Sequence, residues 1–294
     1  MLTGVLAGLA AGALWGLVFV APRMVNGFSS VDLTAGRFLA YGALAALACG
    51  WTRRPLPNMA QARAAVLLSL LGFTGYYLLL VLAIRDAGTE VPSLVIGTIP
   101  IWVMVLGKPG HLRWRALMPG VVLTAAGLAL MTLSAQGGGG NEGPHFWRGI
   151  VLACASLACW TAFALLNAAW LKRHAEVGVA DWANWLGLAT GAGALLMWAV
   201  AGSDTATLRG QPDAPLFLAL ALATGAGSAW LATICWNVAS RRLSASLCGQ
   251  LIVSETLFAL AYSFAWDGRW PTAAQWAAVV LFTLGILAAI RAHR

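Results

Sequence analysis

Glu255 stands almost at the centre of Leu247–Trp266, LCGQLIVSETLFALAYSFAW, a run of 20 residues in which it is the only formal charge. As a helix rising ~1.5 Å per residue, this run is about 30 Å long, the thickness of a bilayer's hydrocarbon core. A carboxylate at that depth costs about 3 kcal/mol on insertion scales, so its helix is expected to face a protein interior or a wet cavity. There it has two kinds of work available. It pairs with the amino group of a solute, or it binds and releases a proton as a carrier turns over. The structural alternative is a hydrogen-bonded glutamate that holds two helices together.

Other side chains reach a similar depth. Tyr76, Trp102 and Trp160 fall near the middles of their apolar stretches, and Trp15, Tyr77, Trp230, Trp236 and Tyr262 also lie away from the span ends. A buried phenol or indole needs a hydrogen-bond partner, so several at one level point to an amphipathic cavity that accepts flat or apolar ligands. Ordinary helix packing or lipid contact is the alternative for any one ring. Arg37 lies about one turn inside the outer boundary, where it either meets a substrate carboxylate or serves as an interfacial anchor. Asn237 and Gln250 are candidate polar contacts, alongside Thr74, Thr98, Ser156, Thr161, Asn167, Ser254 and Thr256. Hydroxyls commonly bond back to their own helix, which is the simpler reading of each Ser and Thr.

Catalytic signatures are missing. There is no HExxH, GxSxG or Walker A pattern, and no GxGxxG followed by an acidic residue. His111, His145, His174 and His293 fall in loops or at the C-terminus, none at metal-ligand spacing. Cys49, Cys154, Cys159, Cys235 and Cys248 form no CxxC pair and read as small core residues. No cofactor or metal is expected, and without a nucleotide-binding segment the chain is no ATP-driven pump.

The elements that must position these residues follow from composition. The 294 residues are 60% hydrophobic and only 10% charged, with a mean hydropathy of +0.79. Soluble domains run near roughly 25% charged, so this is a multispanning membrane protein. The net charge of +8 sits in short loops and builds no basic face with interleaved aromatics, which argues against nucleic acid. Ten apolar segments are expected: Leu2–Val20, Leu33–Gly50, Ala64–Ile84, Pro92–Gly107, Ala116–Ser134, Gly149–Trp170, Trp182–Ala201, Pro215–Val238, Ala245–Trp266 and Thr272–Ile290. The first lacks the features of a cleaved leader and is read as a retained span. The fourth carries Gly97 and Pro100 and is expected to kink or break. Small-residue runs at Gly8–Gly16 and Ala223–Trp230 allow close helix approach.

Charge sets the orientation. With a cytoplasmic N-terminus, the inner loops receive 12 of the Lys and Arg residues (Arg53, Arg54, Arg63, Lys108, Arg113, Arg115, Lys172, Arg173, Arg241, Arg242, Arg291 and Arg294) and the outer loops five (Arg23, Arg85, Arg148, Arg209 and Arg269). That bias puts both termini in the cytoplasm. The glycine-rich 135–144 reads as a flexible outer linker near the middle of the chain. It prompts a division into halves 1–135 and 148–294 joined by 136–147. ALWG at 13–16 resembles ACWT at 158–161, and LVIGTIPIW at 94–102 lies over LIVSETLFA at 251–259. Five spans per half is odd, so the halves run inverted, an arrangement that places sites near the midplane of carriers. The fold class is thus all-α, ten transmembrane helices in two inverted five-helix repeats.

In order and spacing, ALWGLVFVAPRM, DLTAGRFLAYGALA, ASLCGQLIVSETLFALAYSFAWDG and AAVVLFTLGILAA resemble the drug/metabolite transporter superfamily. The resemblance spans essentially the whole chain and is closest to its ten-helix EamA-like exporters. The abundance of tryptophan is most similar to the bacterial aromatic amino acid exporters of the YddG type. The resemblance implies an inner-membrane secondary transporter that exports small metabolites, with aromatic or apolar amino acids as the leading class. A monomer in the lipid bilayer is its expected unit. It carries the family's second-span arginine onto Arg37 and its ninth-span glutamate onto Glu255. Two positions depart from the family pattern: Thr256 stands where proline often follows that glutamate, and Lys108 follows Gly107 where glutamate is frequent. The expected site is Glu255 for an amino group or coupling proton, with Trp102, Trp160, Tyr76, Tyr77, Trp15 and Tyr262 as apolar wall. Arg37, Asn237 and Gln250 supply polar contacts. The alternatives are a multidrug, nucleoside or sugar-phosphate exporter, a channel, and an intramembrane enzyme or lipid-handling protein using Glu255 as acid or base.

Overall fold

In a computed structural model, which describes residues 1–52, 56–135, 145–268 and 270–293, the described residues form helices joined by turns and short loops. In order these are α1 (Leu2–Gly16), α2 (Ser30–Thr52), α3 (Met59–Gly72), α4 (Thr74–Ala87), α5 (Glu90–Gly97), α6 (Ile99–Leu106) and α7 (Trp114–Ala135). After the central linker, whose 136–144 lie outside the described residues, come α8 (Phe146–Arg173), α9 (Val179–Ala201), α10 (Thr205–Gly210) and α11 (Ala214–Thr224). The chain ends with α12 (Ala232–Arg242), α13 (Ala245–Asp267) and α14 (Ala273–Ala292). Among the described residues, nine helical stretches are long and apolar enough to cross a membrane, and Val91–Leu106 adds a shorter tenth.

Several crossings are not continuous α-helix. The first tightens after Gly16 into 3-10 turns, Leu17–Phe19 and Ala21–Met24, the second containing Pro22. The fourth breaks at Thr98, just ahead of Pro100, as the proline requires. The third was expected to run unbroken but stops at Phe73, which adopts φ −130°, ψ −91°. Gly75 permits this: a Cβ there would lie 2.5 Å from the Leu70 carbonyl oxygen. The eighth relaxes into a π-helical stretch, Gly225–Leu231, over the small-residue run GAGSAWL. The segment ends expected from hydropathy fall short by several residues, because helices continue through polar interfacial residues that hydropathy discounts.

Packing partners follow one pattern. α2 lies on α9, α7 on α14, and α6 on α13. α1 packs on α12 and α13, while α8 packs on α3, α4, α5 and α6. Exchanging the first five crossings with the second five returns this set of pairs. Closest approach is made by glycine. Gly4, Gly8, Gly12 and Gly16 form one ridge of α1, and a Cβ at Gly8 would lie 2.6 Å from Leu251 Cδ1 and one at Gly12 3.0 Å from the Glu255 backbone nitrogen. At the α2–α9 crossing, Gly42 meets the Cα of Gly191. Such backbone-to-backbone packing suits a bundle in lipid, where van der Waals contact replaces the hydrophobic drive.

Candidate functional site

Because the Gly12 face of α1 rests on the backbone at Ser254 and Glu255, the carboxylate is carried at the centre of the bundle. Around it gather α2, which supplies Arg37, and the start of α4, which supplies Tyr76 and Tyr77. Both Arg37 and Glu255 lie within electrostatic reach of Tyr76 and of each other. Yet among the described residues neither forms a hydrogen bond or an ion pair within 4.0 Å. The Arg37 guanidinium instead lies over two rings, 4.6 Å from the Phe38 centroid and 5.2 Å from that of Tyr77, with its Nε buried and unpartnered. Opposite charges with free hydrogen-bonding capacity thus lie within electrostatic reach of each other, and Tyr77 borders the space beside Arg37.

That space has an entrance. A recess of about 100 Å³ is lined by Leu33, Thr34, Arg37, Tyr77, Phe217 and Thr224, among others, so Arg37 and Tyr77 are reached from it. Phe217 is held flat against Phe28 at 4.3 Å and 5°. The same end of the bundle is tied by Arg23, which bonds Ser263 at 2.6 Å and pairs with Asp267 at 2.5 Å. Buried Asp32 adds a further tie by accepting from the backbone N–H and hydroxyl of both Ser29 and Ser203.

The wall is a continuous set of rings. Tyr76 meets Tyr77 and Tyr77 meets Phe38, each at 6.0 Å, and Phe38 and Phe163 both meet Phe73 edge-on. Phe163 then leads to Trp160 at 5.9 Å. Trp160, Trp15 and Trp236 form a triangle of indoles with centroids 6.2, 5.3 and 6.1 Å apart. The break at Phe73 positions three of these rings, and Ser156 donates to the Tyr76 carbonyl at 3.0 Å. The π-helical stretch lies alongside. Its Ser228 hydroxyl donates to the Leu14 carbonyl at 2.5 Å, and its Trp230 indole N–H to Asn184 at 2.7 Å. Glu255, Phe258 and Tyr262 share a face of α13 at i, i+3, i+7 spacing, Phe258 and Tyr262 being 6.1 Å apart.

The structure therefore brings together Glu255, Arg37, Tyr76 and Tyr77, extends their wall through Trp160 and Trp15, and sets Tyr262 two turns along α13. Three expected residues are elsewhere. Trp102 is 48% exposed and stacks on none of these rings, because Val103 and Met104 take the buried face of α6. Asn237 is used up inside the bundle: its Oδ1 accepts from Asn167 at 3.1 Å and its Nδ2 donates to the Val179 carbonyl at 3.3 Å. Trp182 completes that network by donating to Asn167 Oδ1 at 2.7 Å. Gln250 faces the α7–α14 seam, where it donates to Thr124 at 2.9 Å between Gly120 and Gly285. Conversely, Phe38, Phe73 and Phe163 belong to the wall although sequence reasoning did not select them, and Trp236, noted only for its depth, joins it. For Trp236 the signal was its depth, shared with Trp160; the phenylalanines carry no polar atom to mark them. Among the described residues, no three His, Cys, Asp or Glu side chains are grouped to hold a metal ion.

Comparison with known proteins fits this geometry. Residues 2–133 match the model of the EamA-like transporter family. Inner membrane protein YtfF of Escherichia coli (strain K12) is 32% identical over 309 positions, an alignment covering 99% of this chain and 96% of that protein. A solved crystal structure superposes with a TM-score of 0.79 over 98% of both chains at 22% identity, a likeness of fold. By its sequence and its bundle of apolar crossings, the chain belongs to the EamA-like transporter family, membrane transporters of small metabolites.

Proposed function

We propose that this chain is a secondary carrier that exports zwitterionic metabolites, with aromatic and other apolar amino acids as its leading substrates. One observation carries the reading: Arg37 and Glu255 hold opposite charges within electrostatic reach of each other without pairing, beside Tyr76 and Tyr77. An α-amino acid brings a carboxylate to the guanidinium, an ammonium to the carboxylate, and an apolar side chain to the rings. A lone amine or a lone acid leaves one charge unanswered, and charge-assisted hydrogen bonds are the strong ones. The carboxylate also accepts a proton, which would then compete with the substrate's ammonium. In this reading two inverted halves, 1–135 and 148–294, move around the fixed site in alternating access. The protein works as a monomer in an inner membrane, like its relative, with both termini on the cytoplasmic side that receives most of its Lys and Arg.

The test is uptake by proteoliposomes containing only this protein, offered radiolabelled phenylalanine, tryptophan, methionine and threonine, with and without an imposed pH gradient. Saturable uptake of the first three, competed by one another, is the expected result. No uptake of any of the four by folded protein removes the amino acid class and redirects the search to nucleosides, sugar phosphates and cationic drugs. Stimulation by the pH gradient that vanishes in Glu255→Gln assigns the proton to Glu255.

A further inference from the structure

The recess beside Arg37 has a chemistry of its own. It lies between α2 and α11, which pack together at this end of the bundle. Thr34 and Arg37 are one turn apart on α2, while Phe217, Leu220 and Thr224 share one side of α11 at i, i+3, i+7 spacing. A volume of about 100 Å³ holds several water molecules or the polar head of one small solute.

The hydrogen-bonding roles left open in this recess are specific. The Thr34 hydroxyl donates to the Ser30 carbonyl at 2.7 Å, and the Thr224 hydroxyl to the Leu220 carbonyl at 2.6 Å. Each has spent its one hydrogen on its own helix, so what both offer a ligand is an acceptor oxygen. Arg37 offers the opposite. The rings of Phe38 and Tyr77 take the face of its guanidinium, at 4.6 and 5.2 Å, which leaves the in-plane N–H groups to donate, and its Nε has no partner. Side chains three apart on a helix stand about 5–6 Å from one another. A ligand that meets both Thr34 and Arg37 therefore carries an anionic acceptor and a donor within one small head group. A lone carboxylate leaves the hydroxyl oxygens unanswered, and a lone amine meets the like charge of the guanidinium. The wall at Leu33, Phe217 and Leu220 is apolar.

We propose that the recess is a second binding site, for the α-carboxylate and α-ammonium of a small amino acid. Arg37 takes the carboxylate, the Thr34 and Thr224 oxygens accept from the ammonium, and the side chain rests on Leu33 and Phe217. Glu255 takes no part. A solute held there occupies Arg37 and keeps the next one from spanning Arg37 and Glu255, so solute accumulated on the recess side slows export. The inference shares its solute class with the carrier reading and stands on the recess alone.

The experiment uses full-length protein in proteoliposomes, with the five native cysteines replaced and Ser30→Cys placed in the recess lining as a reporter. Its modification by a water-soluble methanethiosulfonate is timed in the presence of alanine, propionate, ethylamine or butanol. Alanine is expected to slow the reaction by about tenfold, propionate less, and ethylamine and butanol not at all. Thr34→Val with Thr224→Val should raise the alanine concentration for half-protection by about tenfold or more, the scale of a lost hydrogen bond to a charged group. Thr34→Ser, which keeps the oxygen, should match the parent. Protection by alanine is expected to persist in Glu255→Gln. The proposal is overturned if no probe protects, or if propionate or butanol protects as well as alanine. It is equally overturned if Glu255→Gln abolishes protection, since alanine then acts from the central site. Protection without uptake of any amino acid leaves the recess site standing and removes the transported class alone; uptake without protection does the reverse.

Discussion

Two of the polar clusters inside this bundle differ in how their bonds are distributed. Around Asn167 every donor and acceptor finds a partner: Trp182 gives to Asn167, Asn167 to Asn237, and Asn237 to the Val179 carbonyl. Around Glu255 almost nothing is bonded, although two charges and two phenols converge. The first cluster resembles a rivet: fully satisfied buried networks rigidify and specify a packing. The second holds its capacity in reserve. A buried polar group is thus a guide to function only after its bonds have been counted, and Asn237 shows what happens when depth alone is used.

The contrast is most directly broken at the charges. Glu255→Gln and Arg37→Gln are each expected to lower uptake by about 10- to 100-fold, the value of a lost hydrogen bond to a charged group. Thermal unfolding of either variant should stay near that of the parent, since among the described residues neither side chain has a hydrogen bond or ion pair to lose. The reverse behaviour is expected of Asn237→Ala. It orphans the Asn167 amide and lowers stability by about 1–3 kcal/mol, read as a fall in the detergent-solubilised unfolding midpoint, while uptake per folded molecule is unchanged. Loss of uptake at full stability in that variant would move Asn237 into the site. Smaller still is Trp102→Ala: on the exposed face of α6, it should change the apparent KM for tryptophan by less than about twofold, the scale of an exposed substitution.

The smallest effect lies at the recess end, outside the membrane-spanning segments. Asp204 caps α10 by accepting from the Thr207 N–H at 2.7 Å and hydroxyl at 3.0 Å, and these bonds hold its carboxyl below the ordinary carboxylate value of 3.8. A depressed value means the cap contributes fully above the unfolded value and is lost as pH falls through the folded one. Hydrogen-exchange protection of the Thr207 amide should therefore persist at pH 6 and weaken below pH 3.8. Asp204→Ala should remove the pH dependence and leave transport untouched.

The sequence made the large features legible and the fine ones not. Ten apolar stretches and a lone charge inside the ninth follow from the cost of polarity in lipid, which every such chain must obey. The break at Pro100 follows from a missing N–H. The break at Phe73 does not, because LLGFTGYY reads as an uninterrupted apolar helix until the neighbouring ring of Phe163 and the Leu70 carbonyl are in place. Glu255, Arg37, Tyr76 and Tyr77, which charge and depth select in the sequence, do lie near one another in the fold. Trp102 lies apart from them because depth along a helix says nothing of its azimuth when, as on α6, nearly every residue is apolar. Gln250 lies apart for a related reason: it sits five residues before Glu255, which at about 100° per residue turns it to another face of the same helix.

Azimuth also gives the π-helical stretch its meaning. A π turn holds one residue more than an α turn, so a chain passing through Gly225–Leu231 emerges with a phase offset from the helix that entered. The offset sets which residues of α12 look at α1 and α8, hence that Trp236 meets Trp15 and Trp160 while Asn237 meets Asn167. Tightening that stretch to regular α-helix with the surplus residue kept would rotate everything beyond it by about 100°. The indole triangle would open and the asparagine pair would part together. One surplus residue thus keys the eighth crossing so that its indole face and its bolted face both land in their seats.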